Sequence, residues 1–83
     1  GKTPRTRILG ALRELLVGHP FATTAQIRQA VAEDITGLGA LSRTSFYRTL
    51  DEMVDEDLVV KTERGAKGSY EFRLDASHPD ACI

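Results

Sequence analysis

"LSRTSFYRTLDEMVDEDLVVKTERGAKGSYEFRL" (residues 41–74) changes its hydrophobic period part-way along, and that change decides the fold. Up to Asp57 the apolar residues Phe46, Leu50, Met53 and Val54 stand at i, i+4, i+7 and i+8, one stripe of an amphipathic helix. Ser42, just before the stripe, is an N-cap residue type. Beyond Asp57 the period falls to two. Segments 58–63 and 69–74 then read as strands joined by a loop over 65–68, with Tyr70, Phe72 and Leu74 on one face and Glu71 and Arg73 on the other.

The outward face of the helix over 42–56 is divided. Its front offers Arg43, Thr44, Ser45, Tyr47 and Arg48; its back offers Asp51, Glu52, Asp55, Glu56 and Asp57. At 100° per residue Arg48 points away from the apolar stripe, while Tyr47 lies on its border. The Tyr47 ring can therefore belong to the core or face a ligand.

Two further helices precede this segment. In "TPRTRILGALRELLVGH", Thr3 is an N-cap and Pro4 takes the first helical position, where its missing N–H costs nothing. Ile8, Leu9, Leu12, Leu15 and Leu16 form the stripe, and Gly18 and Pro20 end it. A short extended piece at residues 21–22 leads to Thr23 and Gln26, which have capping-box spacing. Ile27, Ala30, Val31 and Ile35 share one face of the second helix, with Gly37 as its C-cap.

Three helices followed by a hairpin predict a mainly helical α+β domain, a winged helix-turn-helix with a two-stranded wing. The 83 residues are enough for one small domain. Residues 1–75 are assigned to it, and 76–83 to a tail or the start of a hinge. A single cysteine excludes an internal disulfide framework and fits a reducing, cytoplasmic location. No apolar run approaches membrane-spanning length. Because the chain opens on Gly1, it is read as processed or as a fragment of a longer protein.

The net charge of −1 hides a strong polarity. Residues 1–50 carry seven Lys and Arg against three acids, whereas residues 51–83 carry four against nine. A recognition helix enters the DNA major groove with its N-terminal residues at the base edges, so a basic front and an acidic back fit that use. Arginine can donate two parallel hydrogen bonds to guanine, and hydroxyls can reach bases or phosphates. Arg48, Tyr47, Thr44, Ser45 and Arg43 are accordingly candidates for the groove. Lys2, Arg5 and Arg7 are either a solvated helix start or phosphate contacts; Arg64 and Lys67 at the hairpin tip are either solubilising or wing contacts.

The spacing of His78, Asp80 and Cys82 could converge on a metal if the segment were extended and further ligands joined it, so no metal site is assigned to them. Two histidines and one cysteine give no nucleophile–base arrangement, and the chain is read as non-enzymatic.

With these motifs in place, "LSRTSFYRTLDEMVDEDLVVK" and "GSYEFRL" resemble the Fur family of metal- and peroxide-responsive bacterial repressors. Members carry a helix of the kind "x-S-x-x-T-V-Y-R-x-L", then "G-L-V" and a hairpin ending in "Y-E". Here Ser42, Ser45, Phe46, Tyr47, Arg48, Thr49 and Leu50 follow that order, and "TPRTRIL" resembles the family's opening. The resemblance covers residues 3–75. It implies double-stranded DNA as partner, with Tyr47 and Arg48 in the major groove and Arg5 or its neighbours on the backbone. It also implies a further C-terminal domain that dimerises and binds zinc or iron; no cofactor is expected in this chain. "SHPDACI" fits the family's His-rich run at His78 and Asp80, whereas Cys82 is out of register, so metal sensing is not carried over.

The competing expectation is a winged-helix module that binds protein, with the acidic back of the third helix as its interface. Fold alone does not choose between the two.

Overall fold

Thr3 begins the first helix as expected. Its Oγ1 accepts the Thr6 amide at 3.2 Å, and α1 runs Pro4–Gly18. In the computed structural model, residues 3–33, 41–65 and 69–79 are described. The buried side of α1 is turned slightly from the expected stripe. Arg7, Ile8, Ala11 and Leu12 are buried, while Leu9, Leu15 and Leu16 pack half-buried around them.

The capping box at Thr23 and Gln26 forms in both directions. Thr23 N–H donates to Gln26 Oε1 at 2.9 Å, and Gln26 N–H donates to Thr23 Oγ1 at 3.2 Å. Helix α2 (Thr24–Glu33) then buries Ile27 and Val31. Ile35 and Gly37, expected on its face and at its end, lie outside the described residues.

Helix α3 (Arg43–Asp55) starts at Ser42, whose Oγ accepts the Ser45 amide at 3.1 Å. It buries Phe46, Leu50 and Met53. Its end is a Schellman motif built without glycine. Leu58 N–H donates to the Met53 carbonyl and Asp57 N–H to the Val54 carbonyl, both at 3.0 Å, with Asp57 at φ 64°. Aspartate tolerates this left-handed conformation better than most residues, though less well than glycine. Leu58 and Met53, which flank the motif, are fully buried, so the turn is fixed by the core as well as by hydrogen bonds.

The sheet departs from the expected two-stranded hairpin. Strand β1 (Ala22–Thr23) joins β2 (Val59–Glu63) and β3 (Tyr70–Leu74) in an antiparallel sheet of order β1-β3-β2. Ala22 stands opposite Phe72, and Thr23 opposite Glu71. Two residues are too short to show an alternating pattern, so this pairing is set by tertiary contact. On the other side, Lys61 stands opposite Phe72 and Glu63 opposite Tyr70.

Among the described residues, three helices and three strands thus make a mainly helical α+β domain. Ile8, Leu12, Ile27, Val31, Phe46, Leu50, Met53, Leu58, Val59 and Phe72 form one core with Ala11 and Ala22. Each large side chain buried there contributes about 1.5–3 kcal/mol of transfer free energy. After β3 the chain turns back. Asp75 N–H donates to the Leu58 carbonyl at 2.9 Å, and His78 N–H to the Asp75 carbonyl at 3.0 Å.

Candidate nucleic-acid interface

The Ser42 cap sets the direction of the first turn of α3, and the burial of Phe46 and Leu50 sets its rotation. Arg43, Thr44 and Arg48 are exposed as a result. Ser45 is half-buried, with its amide engaged by the cap. Tyr47 is partly packed and partly exposed. Its ring meets Phe46 edge-on at 5.2 Å, yet the residue remains 38 % exposed.

Beside this face lies a groove of about 400 Å³ between α3, the start of α2 and the sheet. Tyr47 and Asp51 line it from α3, Thr24 from α2, and Lys61 and Tyr70 from β2 and β3. The Lys61 ammonium sits 4.1 Å from the centre of the Tyr70 ring, a cation–π contact. Sequence reasoning did not single out Lys61. The available signal was the period of two, which puts position 61 on the face shared by the buried Val59.

Among the described residues, no carboxylate forms an ion pair with Arg43, Arg48 or Lys61. The other expected contact residues are placed differently. Arg7 is 8 % exposed, and its Nη2 donates to the Val31 carbonyl at 3.1 Å, joining α1 to α2. That burial corrects the expectation of a phosphate contact at Arg7, because the guanidinium is held inside the fold.

Arg5 forms an ion pair with Glu56, one residue past the end of α3. Thirteen residues separate positions 43 and 56, about 20 Å along a helix. Arg5 therefore stands at the acidic end of α3, remote from Arg43. His78 joins the same corner, with Nε2 3.8 Å from Glu56 Oε1. Arg64, just past the end of β2, is exposed and reaches Glu71 Oε1 at 3.5 Å across the sheet. Lys2 and Lys67 lie outside the described residues.

The acidic positions Asp51, Glu52, Asp55, Glu56 and Asp57 are all exposed, and of these Glu56 is tied to Arg5. Among the described residues, no group of three or more His, Cys, Asp or Glu side chains is placed to hold a metal ion. Asp80 and Cys82 fall outside them. No helix among the described residues is long and apolar enough to cross a membrane.

No protein-family model matches this chain, and no curated protein matches it.

Proposed function

We propose that this protein is a sequence-specific, duplex-DNA-binding domain of the winged-helix type, from a cytoplasmic transcriptional repressor akin to the Fur family. The observation that carries the proposal is the contrast among its cations. Arg43 and Arg48 stand exposed on the N-terminal half of α3 without an ion pair among the described residues, beside the hydroxyls of Thr44 and Tyr47. Of the other arginines expected at DNA, Arg5 and Arg7 are engaged within the domain and Arg64 is paired at the surface. Arg28 on α2 and Arg73 on β3, which were not assigned to the contact, are exposed as well.

In this reading α3 enters the major groove with its capped end first. Arg48 reads guanine, Tyr47 offers its hydroxyl to phosphate or its ring to a thymine methyl, and Thr44 and Arg43 flank them. The acidic back of α3 stays outside the duplex. The full-length protein binds as a homodimer whose two recognition helices meet half-sites about 34–36 Å apart. Zinc or iron belongs to a further domain, and this one has no catalytic role.

An amide NMR titration with mixed-sequence duplex, at low and at near-physiological salt, tests the proposal. Shifts are expected over residues 42–48 and along the wing, and they fade as salt rises. On a selected site, Arg48→Ala is expected to cost about 1–3 kcal/mol and to relax the sequence preference. Equal loss on specific and non-specific duplex reassigns Arg48 to the phosphates. Absence of shifts at millimolar DNA overturns the proposal in favour of a protein-binding module acting through Asp51, Glu52 and Asp55.

A further inference from the structure

We infer that the groove between α3 and the wing is a seat for the sugar–phosphate backbone, with Lys61 as its anion contact and Tyr70 as the residue that positions Lys61. The inference rests on the DNA-binding reading and adds to it a residue, a location and a ligand chemistry.

Lys61 lies on the sheet face that turns towards the helices, directly opposite Phe72, but beyond the edge of the core, where it is exposed. A lysine on such a strand has a flexible four-carbon stem and loses rotamer freedom when it makes a fixed contact. Here the Tyr70 ring, itself half-buried against the core, holds the ammonium 4.1 Å from its centre. The charge is held in place by an aromatic face, which leaves the N–H donors turned away from the ring available to an anion. A carboxylate partner would have neutralised it, and none pairs with it among the described residues.

The opposite wall supplies Tyr47, whose exposed face makes it a shared boundary between the groove and the front of α3. Thr24 adds a hydroxyl-bearing residue from the start of α2. One acid, Asp51, lines the same groove and opposes an anion there. A strand backbone crossing from Arg48 past Tyr47 would meet Lys61 next, so base reading and backbone anchoring adjoin across one tyrosine. Phosphate is a better fit than a base edge, because a lysine ammonium is a point charge without the planar fork that arginine brings to guanine.

The test compares the wild-type protein with Lys61→Gln, Lys61→Arg and Asp51→Asn, measuring duplex affinity from about 50 to 200 mM salt. Lys61→Gln is expected to weaken binding about fivefold near 150 mM salt, equally on every duplex sequence, and to lower the salt slope by about one. Lys61→Arg keeps the slope, and Asp51→Asn tightens binding without sequence preference. Tyr70→Phe, which keeps the ring, leaves affinity unchanged. Tyr70→Leu weakens binding while the salt slope stays at the wild-type value. Because a smaller folded fraction gives the same pattern, its urea midpoint is measured alongside, and an affinity loss larger than the folded fraction accounts for is expected. If the wild-type protein binds duplex and Lys61→Gln changes neither affinity nor slope, the groove is not a backbone seat and this inference falls alone. If the wild-type protein does not bind duplex at all, the functional proposal falls and takes this inference with it.

Discussion

The first turns of α1 and α3 are alike in sequence and opposite in use. Each is capped by a hydroxyl residue, Thr3 or Ser42, and each follows its cap with arginines and hydroxyls. In α1, Arg7 is buried against the Val31 carbonyl and Arg5 is paired with Glu56. In α3, Arg43 and Arg48 stay exposed with no ion pair among the described residues. The difference teaches that an arginine near a helix N-terminus has no intrinsic role. Its rotation relative to the apolar stripe decides whether it becomes part of the fold or remains available to a ligand.

The comparison breaks most visibly at Arg7. Removing a buried, charged donor leaves the Val31 carbonyl without that hydrogen bond, which costs about 1.5–3 kcal/mol. Arg7→Ala is therefore expected to lower the urea midpoint by that equivalent, whereas Arg48→Ala moves stability by no more than about 0.5 kcal/mol. Arg7→Met retains the apolar stem and recovers part of the loss. Equal stability effects at positions 7 and 48 would erase the distinction between the two turns.

A smaller effect sharpens it at Arg5. Its pair with Glu56 is about one-third exposed on each side, so solvent screens it. A double-mutant cycle of Arg5→Gln and Glu56→Gln is expected to return a coupling of about 0.2–1 kcal/mol that shrinks with added salt. Duplex affinity, measured on the same variants, stays at the wild-type value for Arg5→Gln if Arg5 serves the fold. A loss comparable to that of Lys61→Gln would return Arg5 to the phosphate contacts.

Much of this architecture was legible because its signals are local. Thr3, Ser42 and the Thr23–Gln26 box act within four residues, and all three caps form as their spacing predicts. The stripe of α3 and the two long strands were equally readable. Strand β1 was legible only as the short extended piece at 21–22, since its place in the sheet comes from pairing with residues far along the chain. The burial of Arg7 left a faint trace: it precedes Ala11 by four positions and Ile8 by one, inside the arc that the core occupies. Periodicity read through residue type alone assigns any arginine to the outside and misses it. The turn at Asp57 escaped for a related reason, because its left-handed backbone is usually announced by glycine. On the candidate site, the front of α3 was visible in sequence, but the placement of Lys61 depends on the register that sets it opposite Phe72 and beside Tyr70.

The smallest expected effect concerns the segment that returns to the acidic end of α3. The Asp75 carboxylate accepts the Ser77 hydroxyl at 2.7 Å and the Ser77 amide at 2.9 Å. These two donors, with the nearby charges of His78 and Arg73, hold its pKa below the usual 3.8. The folded state thus binds the Asp75 proton less readily than the unfolded chain does. The contribution of the turn is fully present above pH 3.8 and is lost as pH falls through the lower folded value. Asp75→Asn is expected to flatten that part of the acid-unfolding profile by slightly lowering stability above pH 3.8 and leaving the acid end unchanged, and the loss is small because the group is solvent-exposed. The amide resonances of Ser77 and His78 offer a direct reading, since they should titrate with Asp75 in the wild-type protein and stay still in the variant. Movement of the Arg5 side-chain resonances in the same titration would show that the turn also holds the Arg5–Glu56 corner, and would tie the first turn of α1 to the tail as well as to α3.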